Sequence, residues 1–316
     1  MEFKHIPILL DDVIKNLNIK DNGIYIDGTL GGAGHSGKIL ENLNGGILIG
    51  IDKDLEALEI SKKRLEEINN KKEDTKKTKL IFVNEDFKNI PNILRDLKID
   101  KVDGILLDLG VSSYQIDNPE RGFSYMIDAP LDMRMDKNQE IDAKYIVNNY
   151  SKEDLINIFK NYGEEKKANI IAQKIEEKRK EKEIETTLEL VDIIDSAKGF
   201  NKKGGHNAKK VFQALRIEVN GELKNLTDRL REMSEFLNTD GRFLIITFHS
   251  LEDKIVKNVF EELLGKCTCP PDFPVCVCGK KSYGRLIKGK KIIPSKEEME
   301  YNSRARSAIL RGFIHI

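Results

Sequence analysis

The chain has no surplus of charge of either sign and no long hydrophobic run. Its 53 Lys and Arg balance 53 Asp and Glu over 316 residues. Zero net charge does not exclude nucleic acid, but it makes any basic surface local. The longest apolar stretches, at 105–107 and 243–246, are strand-sized and too short to span a bilayer. The start, Met1-Glu-Phe-Lys-His-Ile-Pro7, lacks the basic beginning and long apolar middle of a secretory leader. A soluble, cytoplasmic protein with no membrane partner is expected. With 39% hydrophobic and 34% charged residues the chain is polar, yet it has enough apolar surface to bury a core, which excludes the disordered class.

Basic residues concentrate in two places. From 279 to 316, ten Lys or Arg face three Glu, and between 198 and 210 five Lys occur with no acid. By contrast, 151–185 alternates signs as the solvated faces of helices do. The four cysteines, Cys267, Cys269, Cys276 and Cys278, sit together in a Pro-rich segment. Two C-x-C pairs can close a tetrahedral thiolate site, though C-x-x-C is the commoner zinc spacing. Four reduced thiols in a lid-like hairpin is the favoured reading, and no metal is assigned.

At about 150 residues per domain, the length suggests two units or one domain with a large insertion. The first third alternates short buried strands (23–28, 46–52, 79–83, 102–108) with helical patterns, which argues for a parallel sheet covered on both faces. The Lys-rich connector 69–79 reads as a mobile loop. A fifth strand is predicted at 242–248, after a helical stretch at 212–237 and a turn at 238–241. The gap between the fourth and fifth strands far exceeds an ordinary crossover. The fold class expected is therefore α/β: a doubly wound sheet, residues 1–116 and 208–316, with an inserted all-helical subdomain at 117–207.

The densest signal is Asp27-Gly-Thr-Leu-Gly-Gly-Ala-Gly-His-Ser36, with four glycines in seven positions. Such a turn lets a ligand approach the backbone and the following helix N-terminus. Residues 32–37 even match G-x-G-x-x-G, with Asp52 ending the next strand, which alone would suggest a dinucleotide such as NAD. Three features favour S-adenosyl-L-methionine. Asp27 suits a cationic ligand end and would repel a pyrophosphate. Asp52 can take ribose hydroxyls. Asp86-Phe87 places an acid and an aromatic where an adenine could be bonded and stacked. At the end of the fourth strand, Asp108-Leu-Gly-Val-Ser-Ser113 should face a donor methyl group, and Asp108, loop carbonyls or the two Ser hydroxyls can accept the proton of an amine.

Asp108-Leu-Gly-Val-Ser-Ser113, Asn118-Pro-Glu-Arg-Gly-Phe-Ser124, Pro130-Leu-Asp-Met-Arg-Met135, Phe248-His-Ser-Leu-Glu-Asp253 and Asn302-Ser-Arg-Ala-Arg-Ser307 form a series. Together they closely resemble the bacterial 16S ribosomal RNA cytosine-N4 methyltransferase family, over essentially the whole chain. The resemblance implies a Rossmann-like class I methyltransferase with an inserted helical domain for substrate recognition. It also implies 16S rRNA, in the decoding region of the small subunit, as partner. Donor positions implied are Ala33, Gly34, His35, Asp52, Phe87, Asp108 and Gln115, with Asp108 the catalytic candidate. Ala33 stands where the resemblance implies Gly in many relatives, and its methyl is expected to require a negative φ. Phe123, Tyr125 and Phe248 are candidates to stack a base or simple core aromatics. His249 reads equally as a base contact or a helix cap, and Arg216 with Asn220 as a phosphate contact or a brace. The rivals are an NAD-dependent oxidoreductase, a non-catalytic RNA-binding factor and a methyltransferase for DNA or another base. Oligomeric state is open, a homodimer included.

Overall fold

The computed structural model describes residues 7–199, 206–265, 279 and 281–316, so the four cysteines lie outside the described residues. The chain divides into two compact units: the described residues up to Gly110 together with Asn225–Ile316, and Val111–Lys224.

The first unit is built on seven strands: β1 (Ile24–Asp27), β2 (Ile47–Asp52), β3 (Lys79–Asn84), β4 (Val102–Asp108), β5 (Leu237–Thr247), β6 (Gly284–Leu286) and β7 (Ile309–His315). Their order across the sheet is β3-β2-β1-β4-β5-β7-β6. The pairings among β1–β5 are parallel, while β7 runs antiparallel between β5 and β6. Helices Gly34–Asn42, Leu55–Asn70 and Ile90–Asp96 follow β1, β2 and β3 in turn. The strand order therefore reverses between β1 and β4, which leaves a crevice at their carboxyl ends where open α/β sheets take ligands. Leu48, Leu106, Leu244, Ile246 and Leu310 form one buried layer with Ile39, Leu40 and Leu65 from the covering helices. Phe243, Phe260 and Phe313 make a second, ring-on-ring cluster, with centroids 5.6 and 5.8 Å apart.

Three local expectations change. The 69–79 connector is tied down: Lys72 Nζ donates to the carbonyls of Leu40 and Leu43, and Asn69 and Thr78 exchange two hydrogen bonds of 2.8 and 3.0 Å. The expected 212–237 helix is two, Lys209–Asn220 and Leu226–Ser234, stopped and restarted at Gly221 (φ 57°) and Asn225 (φ 56°). The expected turn at 238–241 lies inside β5, where the β4–β5 register shifts and Asp240 takes φ 59°.

The second unit is wider than 117–207 because the helix Lys209–Asn220 buries Val211, Phe212 and Leu215 in the helical core and not against the sheet. Its other helices are Ser113–Asp117, Ala143–Asn149, Lys152–Asn161, Ala168–Glu181 and Thr187–Lys198. Asp142, Ser151 and Thr186 cap helix starts, and Thr186 with Glu189 completes a reciprocal capping box. The 198–210 basic patch is smaller than its composition: Lys198 pairs with the buried Glu165 at 2.6 Å and Lys210 Nζ donates to the Glu164 carbonyl at 2.8 Å. Lys202 and Lys203 lie outside the described residues.

Candidate active site

At the end of β1 the chain turns through the glycine loop, whose atoms are held from β2, from helix Leu55–Asn70 and from within the turn. Asp27 is sealed beneath the loop, its Oδ1 accepting the Thr29 N–H at 3.2 Å and its Oδ2 the Ser36 hydroxyl at 2.7 Å. What it offers a ligand is charge and not a free oxygen. Asp52, ending β2, accepts the Gly31 N–H at 2.7 Å and the Asp54 N–H at 2.9 Å. Ser61 Oγ donates to the Gly31 carbonyl at 2.5 Å and Arg64 Nη1 to the Gly32 carbonyl at 2.7 Å. Ser61 and Arg64 stand three apart on one face of helix Leu55–Asn70, and a polar Ser on that buried face was the signal available for them. Gly28 must be glycine, because a Cβ there would meet Leu107 Cδ2 at 2.5 Å and the Cβ of Phe87 at 3.1 Å.

Ala33 overturns the expectation of a negative φ. It is fully buried at φ 54°, in the left-handed region, at the start of helix Gly34–Asn42. Its methyl packs in the core, which offsets a backbone cost of about 1 kcal/mol with about 0.8 kcal/mol of buried CH₃. Ala33→Gly should therefore move the melting temperature by less than about 2 °C, whereas the β-branched Ala33→Val should cost about 2 kcal/mol or more. A Val variant melting like the parent protein in a thermal scan would refute this account.

Across the crevice from the loop, Asp108 ends β4, and its N–H donates to Thr29 Oγ1 at 2.6 Å. Its Oδ1 is buried and has no hydrogen-bond partner among the described residues. Its Oδ2 lies 3.8 Å from His35 Nδ1, while His35 Nε2 lies 3.0 Å from the Ile8 carbonyl. Burial, reinforced by the negative charges of Asp27 and Glu252, pushes the Asp108 carboxyl up to about 8. Burial also raises Asp27 to about 6, against the opposing bonds from Ser36 and Thr29, and raises Asp52 to about 6 against those from Asp54 and Gly31. His35 is lowered by burial to about 4, so its ring is neutral at pH 7. Three carboxyls in one crevice resist ionising together, and a positively charged ligand relieves that resistance.

The remaining candidates fall as follows. Phe87 opens a 3-10 turn (Phe87–Asn89) capped by Asp86, and it is half-buried. Gly34 begins its helix against Pro7, whose Cγ would stand 2.3 Å from any Cβ there. Gln115 belongs to the second unit, in a capping box with Ser112. His249 caps helix Ser250–Leu263, with Glu252 accepting its N–H at 3.1 Å and that of Phe248. Phe248 packs beside the sheet core, while Phe123 and Tyr125 pack on the helical core, where Tyr125 stacks on His206 at 4.6 Å. Arg216 forms a two-point pair with Glu222 at 2.8 and 2.9 Å, and Asn220 is buried as a brace. Of the C-terminal basic residues, Arg311 is inside the fold, paired twice with Asp253 at 2.7 and 2.9 Å. Lys288, Lys290, Lys291, Lys296 and Arg306 are exposed.

The donor set fits S-adenosyl-L-methionine better than a dinucleotide: a glycine cradle, acids at the ends of β1, β2 and β4, and an orphaned carboxyl oxygen would attract a sulfonium and repel a pyrophosphate. Such a sheet, with its last strand reversed and its ligand crevice ringed by acids, defines a Rossmann-like class I methyltransferase. The model of the MraW methylase family matches residues 2–316, and the chain belongs to that family. It is 55% identical over 313 residues to "Ribosomal RNA small subunit methyltransferase H" of Clostridium botulinum (strain Loch Maree / Type A3), covering 98% of both chains. The protein of that name from Finegoldia magna is 54% identical over 314 residues, again at 98% of each. Among solved structures, an rRNA methylase from Streptococcus thermophilus aligns over 99% of both chains at 10% identity and a TM-score of 0.40, a likeness too loose to add to the family assignment.

Proposed function

We propose that this protein methylates the exocyclic N4 of a cytidine in the decoding region of 16S rRNA, with S-adenosyl-L-methionine as donor. The observation that carries the reading is the buried, unpartnered Oδ1 of Asp108 at the end of β4, in a crevice of acids held by the glycine loop. The relatives' names supply small-subunit rRNA, and the series of motifs supplies the cytosine amine. The donor, when bound, supplies a methyl group on a positively charged sulfur. Ala33, Gly34, His35, Asp52, Phe87 and Asp108 would hold it, Asp27 contributing charge from below. Asp108, as carboxylate, is the catalytic residue: its free oxygen orients the amine lone pair and takes the departing proton.

An amine inside a duplex is out of reach, so the target base is presented single-stranded or flipped. The helical unit Val111–Lys224 would recognise the RNA, and the exposed Lys288, Lys290, Lys291, Lys296 and Arg306 would contact phosphates. Such a reaction belongs to the cytoplasm, where small subunits are assembled.

The test is mass mapping of 16S rRNA nucleosides from cells lacking the protein, and from the same cells complemented. The expected result is one cytidine that loses its N4-methyl group and regains it with the wild-type chain only. Unchanged methylation at every cytidine would overturn the reading. Calorimetric titration with S-adenosylhomocysteine and with NAD separates the donor question, since only the former should bind.

A further inference from the structure

His35 stands among the donor-holding positions above, but its buried ring carries titratable nitrogens given no chemical role there, and their surroundings fix what they can do. Its Nε2 lies 3.0 Å from the Ile8 carbonyl, a group that only accepts, so Nε2 carries the proton. Nδ1 then presents a bare lone pair, and the group in front of it is Asp108 Oδ2 at 3.8 Å. Two lone pairs facing each other in a buried site repel; one proton between them removes the conflict. The ring cannot turn over without losing its carbonyl. The segment bearing Ile8 is clamped, with Pro7 against Gly34 and the Leu9 N–H donating to Glu298 Oε1 at 2.7 Å.

We propose that His35 is a positioning residue that makes Asp108 a proton-accepting base, by offering Nδ1 as the resting partner of the proton Asp108 collects. This rests on the amine-methylation reading. As N4 takes the methyl group, the C–N bond forms while the methyl–sulfur bond breaks with its electron pair left on the sulfur, and N4 gains positive charge. One N4 proton passes to the Asp108 carboxylate, leaving neutral methylated amine and neutral acid, and that proton settles between Oδ2 and Nδ1 until it leaves to solvent. The charged and titratable groups facing Asp108 are His35 from helix Gly34–Asn42, Asp27 from β1 and Glu252 from helix Ser250–Leu263. Both acids favour the protonated form, and so does the Nδ1 lone pair. A base tuned toward the working pH pulls hardest on the proton while still releasing it afterwards.

The experiment reads the pair directly in donor-free protein. Nitrogen-15 NMR of the histidines should show His35 with its proton on Nε2 and neutral from pH 8 to below 6. Carbon-13 titration of Asp108 should show its midpoint falling by about one pH unit in His35→Phe, which keeps the ring's volume and deletes the Nδ1 acceptor. In single-turnover methylation of 16S rRNA, the rise of rate with pH should move to lower pH by the same amount, while the plateau reached at high pH falls by up to about tenfold because the weaker base takes the proton less readily. A proton on Nδ1 in the wild-type protein, or an Asp108 midpoint unmoved by the substitution, overturns the proposal. If the wild-type protein leaves rRNA unmethylated, it is the function that falls; the NMR coupling still decides the pair.

Discussion

Asp108→Asn is expected to abolish methyl transfer and, at the same time, to make the donor-free protein more stable at pH 8. The native fold holds this carboxyl near 8, whereas an ordinary Asp sits near 3.8. A group whose folded value is raised keeps more protons in the native state, so stability is fully present below about pH 4 and falls as pH rises toward 8. Asp27 and Asp52, raised to about 6, add to the fall between about pH 4 and 6. The amide cannot ionise, and its N–H can donate to His35 Nδ1, which has no donor among the described residues. Removing the ionisation should be worth up to about 5 kcal/mol at pH 8 and about 1.5 kcal/mol at pH 5, and close to nothing only below about pH 4. Activity should fall at least about a hundredfold with the base gone. Thermal scans at pH 5, 6.5 and 8 decide it: parallel curves for the two proteins would sink the account. The variant would place stability and catalysis in opposition at one residue.

The sheet was legible because its strands are short apolar runs bounded by Gly and Asp, and because a glycine-rich turn after the first strand has few other uses. The insertion was legible from length alone. Its edges were not: whether the helix Lys209–Asn220 faces a sheet or other helices depends on partners distant in sequence. Turn chemistry misled at 238–241, where four turn-forming residues are carried within β5 as a register shift. Lysine misled twice. A Lys-rich connector is read as solvated, yet Lys72 reaches two helix-end carbonyls, and Lys198 in the basic run is spent on Glu165. At the site, the acids ending β1, β2 and β4 follow from strand ends. The Ile8 carbonyl and Thr29, which set how Asp108 and His35 face each other, carry no pattern of their own.

Arg121→Ala should unfold the helical unit well before the sheet. Arg121 is only 2% exposed, among the largest fully buried side chains, and it belongs to the Asn118–Ser124 motif of the series that carries the family resemblance. Its Nη2 donates to the Arg134 and Met135 carbonyls at 2.9 and 3.1 Å, and its own carbonyl accepts the Met133 N–H at 3.0 Å. Met133 is held at φ 63°, and Gly122, at φ 69°, could carry no Cβ because the Pro130 carbonyl would lie 2.3 Å away. Asn220 closes the same loop, accepting the Met135 N–H at 2.9 Å and donating to the Met133 carbonyl at 2.8 Å. Two motifs of the series are thus one buried scaffold, a loop bent into strained turns around a guanidinium. Truncating the Arg leaves carbonyls unpaired and a cavity behind them, at a cost of about 3–5 kcal/mol. Lys is no substitute, since one ammonium cannot reproduce the planar fork. Hydrogen exchange should show protection lost across 129–136 and 209–220 while β1, β2 and β4 stay protected. A variant whose helical unit loses less than about 1 kcal/mol would leave the buried arginine without a structural role.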